Sequence, residues 1–181
     1  MKRLLIINGA MGVGKTTTCR LLLDRLQPSA YLDADWCWTM RPFPATAEVK
    51  AMVHDNITHL LRGYLRHSAI ETVILSWVMH RREIFDAVLK PLEDVNFEVA
   101  CITLTMAPEV LVARLAKDIS EGIRSHADLD RSLLRLHDCR MLDTCKLDTG
   151  AQSAAEACDA IVSMVAKSGA RIPWRRDEPK I

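Results

Sequence analysis

Short apolar runs and helical spacings alternate along this chain. Residues 3–8 hold Leu4, Leu5, Ile6 and Ile7 in an unbroken run, read as a strand buried on both faces. Leu21, Leu22 and Leu26 recur at helical spacing over 15–26, and Ala30-Tyr31-Leu32 reads as a second short strand. Val49, Met52, Val53, Ile57, Leu60, Leu61 and Leu65 mark a long helix over 46–67. The β-branched run 72–78 is a third strand, 81–90 a helix, and Phe97–Thr105 a fourth strand. Pro108 opens a helix to about Lys117, because proline suits a first helical turn. Residues 118–128 are polar, carry Gly122 and are expected to form a mobile, short helical lid. A helix over 129–141, a short strand over 146–148 and a helix over 154–167 follow. Residues 169–181 hold prolines and mixed charge and read as a loosely held tail, which leaves one domain over 1–168.

Strands alternating with helices imply an α/β fold, here a three-layer αβα arrangement around a five-stranded parallel sheet with right-handed crossovers. Ligands in such folds sit beyond the carboxyl ends of the strands. That rim would gather four segments: the loop after the first strand, Asp33 and Asp35, the stretch Ser76-Trp77-Val78-Met79-His80, and the loop after Thr105.

The loop after the first strand carries chemistry. Gly9-Ala-Met-Gly-Val-Gly-Lys-Thr16 fits G-x-x-x-x-G-K-[ST], set between a strand and a helix start as that phosphate-binding motif requires. Glycines there let backbone amides approach an oxyanion at the positive end of a helix. Gly9, Ala10, Met11, Gly12, Val13, Gly14, Lys15, Thr16 and Thr17 are therefore the candidate nucleotide-binding residues. Lys15 would reach the β- and γ-phosphates, and the Thr16 hydroxyl would ligate Mg²⁺. ATP and Mg²⁺ are the expected cofactors.

Asp33 and Asp35 form a second constellation. Alternation puts both carboxylates on one side of an extended segment. One can orient Mg²⁺ and the other can accept a proton from a substrate hydroxyl, although an Asp-rich turn before a helix has the same pattern. Trp36, Arg41, Trp77 and His80 are the candidate substrate contacts, together with Asp35; Trp38 lies among them. Each Trp also fits plain core packing.

Composition narrows the setting. The chain has 181 residues and a formal net charge of +1, with a sequence pI near 7.7. That balance argues against a nucleic-acid or membrane partner. Met-Lys-Arg followed by apolar residues mimics a leader, but the run ends at Asn8 and flows into the glycine loop. Six cysteines, at 19, 37, 101, 139, 145 and 158, show no C-x-x-C pairing. They read as free thiols in a reducing cytoplasm. The partner is then a small-molecule acceptor, and the protein a monomer or homodimer.

With these residues in view, the chain resembles small P-loop kinases of the shikimate kinase, gluconate kinase and chloramphenicol phosphotransferase type. It is most similar in pattern to bacterial P-loop proteins related to tunicamycin-resistance protein. Beyond the glycine loop, the likeness rests on Ile7-Asn8-Gly9-Ala10, Tyr31-Leu32-Asp33, the strand ending near Trp77-Val78-Met79, and Leu142-Asp143-Thr144-x-x-Leu147-Asp148-Thr149. The resemblance implies a P-loop NTPase fold of the shikimate-kinase type, with Asp33 toward Mg²⁺ and Asp35 toward the acceptor hydroxyl. It also implies lid arginines, Arg114 and Arg124, with Arg131 and Arg135 after them. Thr149 and Gly150 resemble the loop beside the adenine. Catalytic roles fall on Lys15, Asp35, Arg114 and Arg124.

The chain departs from the pattern in having no acidic residue at the end of the 72–78 strand, no Asn-Lys-x-Asp guanine motif, and no zinc-bearing lid. The reading is transfer of the γ-phosphoryl group of ATP to a hydroxyl. A phosphate acceptor, as in a nucleoside monophosphate kinase, and a nucleotide-binding switch or resistance factor with little turnover stay open.

Overall fold

A computed structural model describes residues 1–44 and 46–168, so the expected tail at 169–181 lies outside the described residues. Five strands form one sheet: β1 (Lys2–Asn8), β2 (Ser29–Asp33), β3 (Thr72–Trp77), β4 (Phe97–Thr105) and β5 (Cys145–Asp148). Their order is β2-β3-β1-β4-β5 and every pairing is parallel. The helices are α1 (Lys15–Arg25), α2 (Ala47–Arg66), α3 (Arg82–Leu89), α4 (Pro108–Ser120), α5 (His126–Met141) and α6 (Ala154–Ser168).

Strand alternation divides the apolar residues between two cores. Leu4 and Ile6 of β1 pack with Val53, Ile57 and Leu61 of α2 and Phe85 and Val88 of α3. Leu5 and Ile7 pack on the other face with Leu22 of α1, Leu111 and Leu115 of α4, Leu136 of α5 and Ile161 of α6. This is the three-layer arrangement the pattern implied. β1 lies between β3 and β4, so the chain order reverses beside it. A crevice opens at such a point above the carboxyl ends of the strands, and the glycine loop enters it.

The segment expected as a lid, 118–128, is helical at both ends around a short turn. α4 runs on to Ser120 and α5 begins at His126. Three local devices explain this. Gly122 takes a φ of 70° just past the end of α4, a C-terminal cap conformation that favours glycine. Ser125 and Asp128 form a capping box that starts α5. Arg124 donates to Asp118 at 2.8 Å across the turn. Residues 36–44, expected to be irregular, begin within a 3-10 turn over Ala34–Trp38.

Candidate functional site

The phosphate loop is shaped by two different demands on glycine. Gly12 has a φ of 89°, and a Cβ there would stand 2.9 Å from side-chain carbons of Leu111 and Leu115. Gly14 heads α1 at a φ of 98°, and a Cβ would meet nothing within 4 Å; only its backbone conformation calls for glycine. No side chain caps α1 and no acidic residue occupies its first turn, so its leading amides keep their positive field for an anion. Lys15 is buried, and its Nζ donates to the carbonyls of Gly9 at 2.9 Å and Ala10 at 2.8 Å. Burial pushes its ammonium below the ordinary lysine range, opposed most by Asp35 and then by Cys139 and Asp33.

On one side of the loop lies a carboxylate cluster. The Thr16 hydroxyl donates to Oδ2 of Asp33 at 3.0 Å. The Tyr31 hydroxyl donates to the same oxygen at 3.0 Å and lies 2.8 Å from Ser76 Oγ. Oδ1 of Asp33 accepts from the Asp35 amide at 3.2 Å. Partial burial raises the Asp35 carboxyl above the usual carboxylate range; Lys15 opposes this, Asp33 adds to it and Arg124 opposes it. A hydroxyl and a carboxylate in contact at the mouth of a phosphate loop are hard oxygen donors that fit Mg²⁺. Among the described residues, no group of three or more His, Cys, Asp or Glu gathers into a metal cage. Mg²⁺ at a phosphate site needs only one or two protein groups.

On the other side, a cavity of about 250 Å³ is lined by Val13, Gly14, Thr17, Arg114, Thr149 and Gln152, among others. Arg114 reaches from α4 to the loop after β5, donating to the carbonyls of Thr149 at 2.7 Å and Gly150 at 3.2 Å. The Thr149 hydroxyl donates to the Val13 carbonyl at 3.0 Å. Thr149 thus meets the phosphate loop directly, and Arg114 lines the same cavity as Val13 and Gly14. Gly150 is not among the lining residues.

A larger cavity, about 370 Å³, is lined by Met11, Asp35, Trp38, Trp77, His80 and Arg135, with Val78, Arg131 and Ser132 completing it. Trp38 and Trp77 stand 6.3 Å apart, and His54 meets the Trp77 ring edge-on at 5.5 Å. Trp36 is 76% exposed and, like Arg41, lies outside the lining. The 3-10 turn gives the reason. Residues three apart share a side there, so Asp35 and Trp38 face the cavity while Trp36 between them turns out. Arg41 lies past the turn, in an exposed bend. Arg124 does not line this cavity, being engaged by Asp118.

A family model described as AAA domain matches residues 5–135. The chain belongs to the AAA domain family. A search of curated protein sequences finds no match. Solved structures do match. A gluconokinase from Sinorhizobium meliloti 1021 is 18% identical, with a TM-score of 0.66 and 91% of each chain covered. The tunicamycin resistance protein of Deinococcus radiodurans is 19% identical, with a TM-score of 0.66, covering 91% of this chain and 96% of that one. A shikimate kinase from Acinetobacter baumannii, solved with shikimate, is 18% identical, with a TM-score of 0.61 and coverages of 92% and 94%. At these identities the likeness carries the fold, that of small P-loop kinases, which agrees with the resemblance read from the motifs.

Four residues of this AAA-domain chain join its candidate site without having been singled out as site residues from sequence. Tyr31 engages Asp33, and Ser76 engages Tyr31. The signals were Tyr31 two residues before Asp33 on one strand face, and a serine near the end of β3, where an acid was sought. Gln152 lines the smaller cavity, and its Oε1 is buried without a partner among the described residues. Ser132 lies one turn from Arg135 on α5. Arg131 and Arg135, expected to follow the lid, line the larger cavity beside the two indoles.

Proposed function

We propose that this chain is an ATP-dependent kinase that transfers the γ-phosphoryl group to a hydroxyl of a small molecule held in the larger cavity. The observation that carries the reading is that Asp35 lines that cavity together with Met11 of the phosphate loop. An acceptor there would sit between a carboxylate and the terminal phosphate of a nucleotide on the loop. Nucleotide contacts fall to residues 9–17, Arg114 and Thr149, with Gly150 supplying a carbonyl that holds Arg114.

The chain's own groups supply positioning and charge. Lys15 leaves the Gly9 and Ala10 carbonyls for the phosphates and offsets charge on the transferring group. Thr16 and Asp33 would hold Mg²⁺, which when bound offsets charge on the β- and γ-phosphate oxygens. Asp35 orients the acceptor hydroxyl and takes its proton as the new O–P bond forms and the bond to the ADP oxygen breaks. Arg124 stands near enough to act on the Asp35 charge and is the cation best placed to approach the phosphoryl group as residues 121–125 close.

The indoles of Trp38 and Trp77 favour an acceptor with a planar or apolar ring face. A phosphate-bearing acceptor is the second reading, supported by Arg131 and Arg135 in the same cavity. Arg62 on α2 is held by Asp94 at 2.6 Å and 2.7 Å and lies outside this cavity's lining.

ADP release is to be measured against sugars, hydroxy acids, nucleosides and nucleotides, with Lys15→Ala and Asp35→Asn as controls. Acceptor-dependent release lost in both variants supports the kinase. ATP binding without acceptor-dependent release from any of these classes favours the switch.

A further inference from the structure

We propose that Tyr31 and Ser76 are positioning residues for the metal: a hydroxyl relay that holds Asp33 in place of the acidic residue absent from the end of β3. The inference rests on the nucleotide and Mg²⁺ reading above.

The register of the sheet makes the relay. Asp33 pairs with Ser76 across β2 and β3, and Tyr31 with Ile74. Tyr31 and Asp33, two apart on β2, lie on one face. Ile74 belongs to the core beneath α1, with Tyr31 packed against it; Ser76, two residues along β3, shares that face. Three side chains from two neighbouring strands therefore converge under the first turn of α1.

Proton counting gives the relay a direction. An ionised carboxylate only accepts, and each hydroxyl has one proton. The Tyr31 proton goes to Asp33 Oδ2. The contact at 2.8 Å between Tyr31 and Ser76 must then be Ser76 donating to the phenol oxygen. Ser76 is buried, so this bond is made away from water.

The relay leaves Asp33 poised for a metal. A carboxylate offers about four acceptor positions. Thr16, Tyr31 and the Asp35 amide fill three of them, which fixes the rotamer and leaves one for a metal-bound water. The Thr16 hydroxyl can give its proton to Asp33 and still offer a lone pair to a cation. A neutral phenol does this without adding a third negative charge beside Asp33 and Asp35.

The test is the effect of Mg²⁺ on binding of a fluorescent ADP analogue, with Mn²⁺ paramagnetic resonance as a direct metal readout. In the wild type, Mg²⁺ tightens nucleotide binding. Tyr31→Phe keeps the ring and removes the donor. Outer-shell partners of a metal site typically contribute tenfold or more to its affinity. Tyr31→Phe should therefore weaken Mg²⁺ and Mn²⁺ by about tenfold while leaving metal-free ADP affinity unchanged. Ser76→Ala should shift the metal in the same direction by less, and stands as the test if Tyr31→Phe does not fold. Metal affinity unchanged in the variants overturns the relay, as does an equal loss with and without metal. A wild type that binds no nucleotide overturns the kinase reading and the relay with it. Mg²⁺-tightened binding in a wild type matched by both variants overturns the relay alone.

Discussion

The side-chain carbonyl of Asn8 accepts a hydrogen bond from the backbone amide of Met79 at 2.8 Å. Asn8 is the last residue of β1, immediately before the phosphate loop, and Met79 lies just past β3, beside Val78 and His80 of the larger cavity. The same side chain donates to Thr103 Oγ1 at 3.2 Å. One buried amide thus clamps the loop's leading strand to both neighbouring strands of the sheet.

Removing that clamp should cost stability before it costs chemistry. Asn8→Ala leaves the Met79 amide without its acceptor in a site closed to water. An orphaned buried group costs about 1–3 kcal/mol. Urea denaturation should show a loss of about 2 kcal/mol with an unchanged m-value. A loss within error of zero would mean that Met79 finds another acceptor.

Arg114 should matter for nucleotide affinity through the loop it holds. Its two bonds to the Thr149 and Gly150 carbonyls tie the chain after β5 to α4, and the Thr149 hydroxyl ties it to the phosphate loop. Hydrogen bonds from a charged donor contribute about 1.5–3 kcal/mol each. Arg114→Met, which keeps the stem, should weaken ADP binding at least about tenfold. Calorimetric titration checks this, and acceptor KM at saturating ATP should stay near its wild-type value.

How far the sequence could be read depended on the range of the interaction. The loop from Gly9 to Thr17 and the five strands were legible because apolar runs and glycine spacing are local signals. The pairing of Asp33 with Ser76 was not, since it depends on strand register between residues far apart in the chain. Trp36 and Trp38 looked alike until the 3-10 turn placed Asp35 and Trp38 on one side. Arg131 and Arg135 were placed on the helix after the lid, but that they line the cavity with Trp38 and Trp77 depends on how α5 packs against residues far away in the chain.

Those two arginines should separate acceptor binding from nucleotide binding. Arg131 donates to Asp128 at 3.1 Å and Arg135 to Asp138 at 3.4 Å. Both are short-range pairs on α5, and the Arg131 side chain is 60% exposed. Arg135 is less exposed, but its 3.4 Å contact with Asp138 is the longer of the two, so an anionic group on the acceptor can compete for either guanidinium. Arg135→Met should raise acceptor KM by about ten- to a hundredfold. ATP KM should stay within about twofold, because α5 contributes nothing to the cavity beside Arg114. Equal rises in both constants would place Arg135 on the phosphoryl group instead.

His80 should give the fold a dependence on acid. Burial, assisted by the Arg135 and Arg81 guanidiniums, holds its imidazole below the ordinary histidine range; the Val78 backbone and Asp138 oppose this. Its Nδ1 is buried with no partner among the described residues, so a proton there has nothing to bond to. The sign follows from linkage. The folded state favours neutral His80, so the unfolded chain binds the proton first as pH falls. The stability this supplies is complete above the unfolded value and is lost as pH falls toward the lowered folded value. His80→Gln removes that titration while His54, also lowered by burial, stays in both proteins. Denaturation free energies measured from pH 8 to pH 5 should fall more steeply in the wild type than in the variant below about pH 6.5. Parallel curves would mean that His80 titrates as freely in the fold as in the open chain.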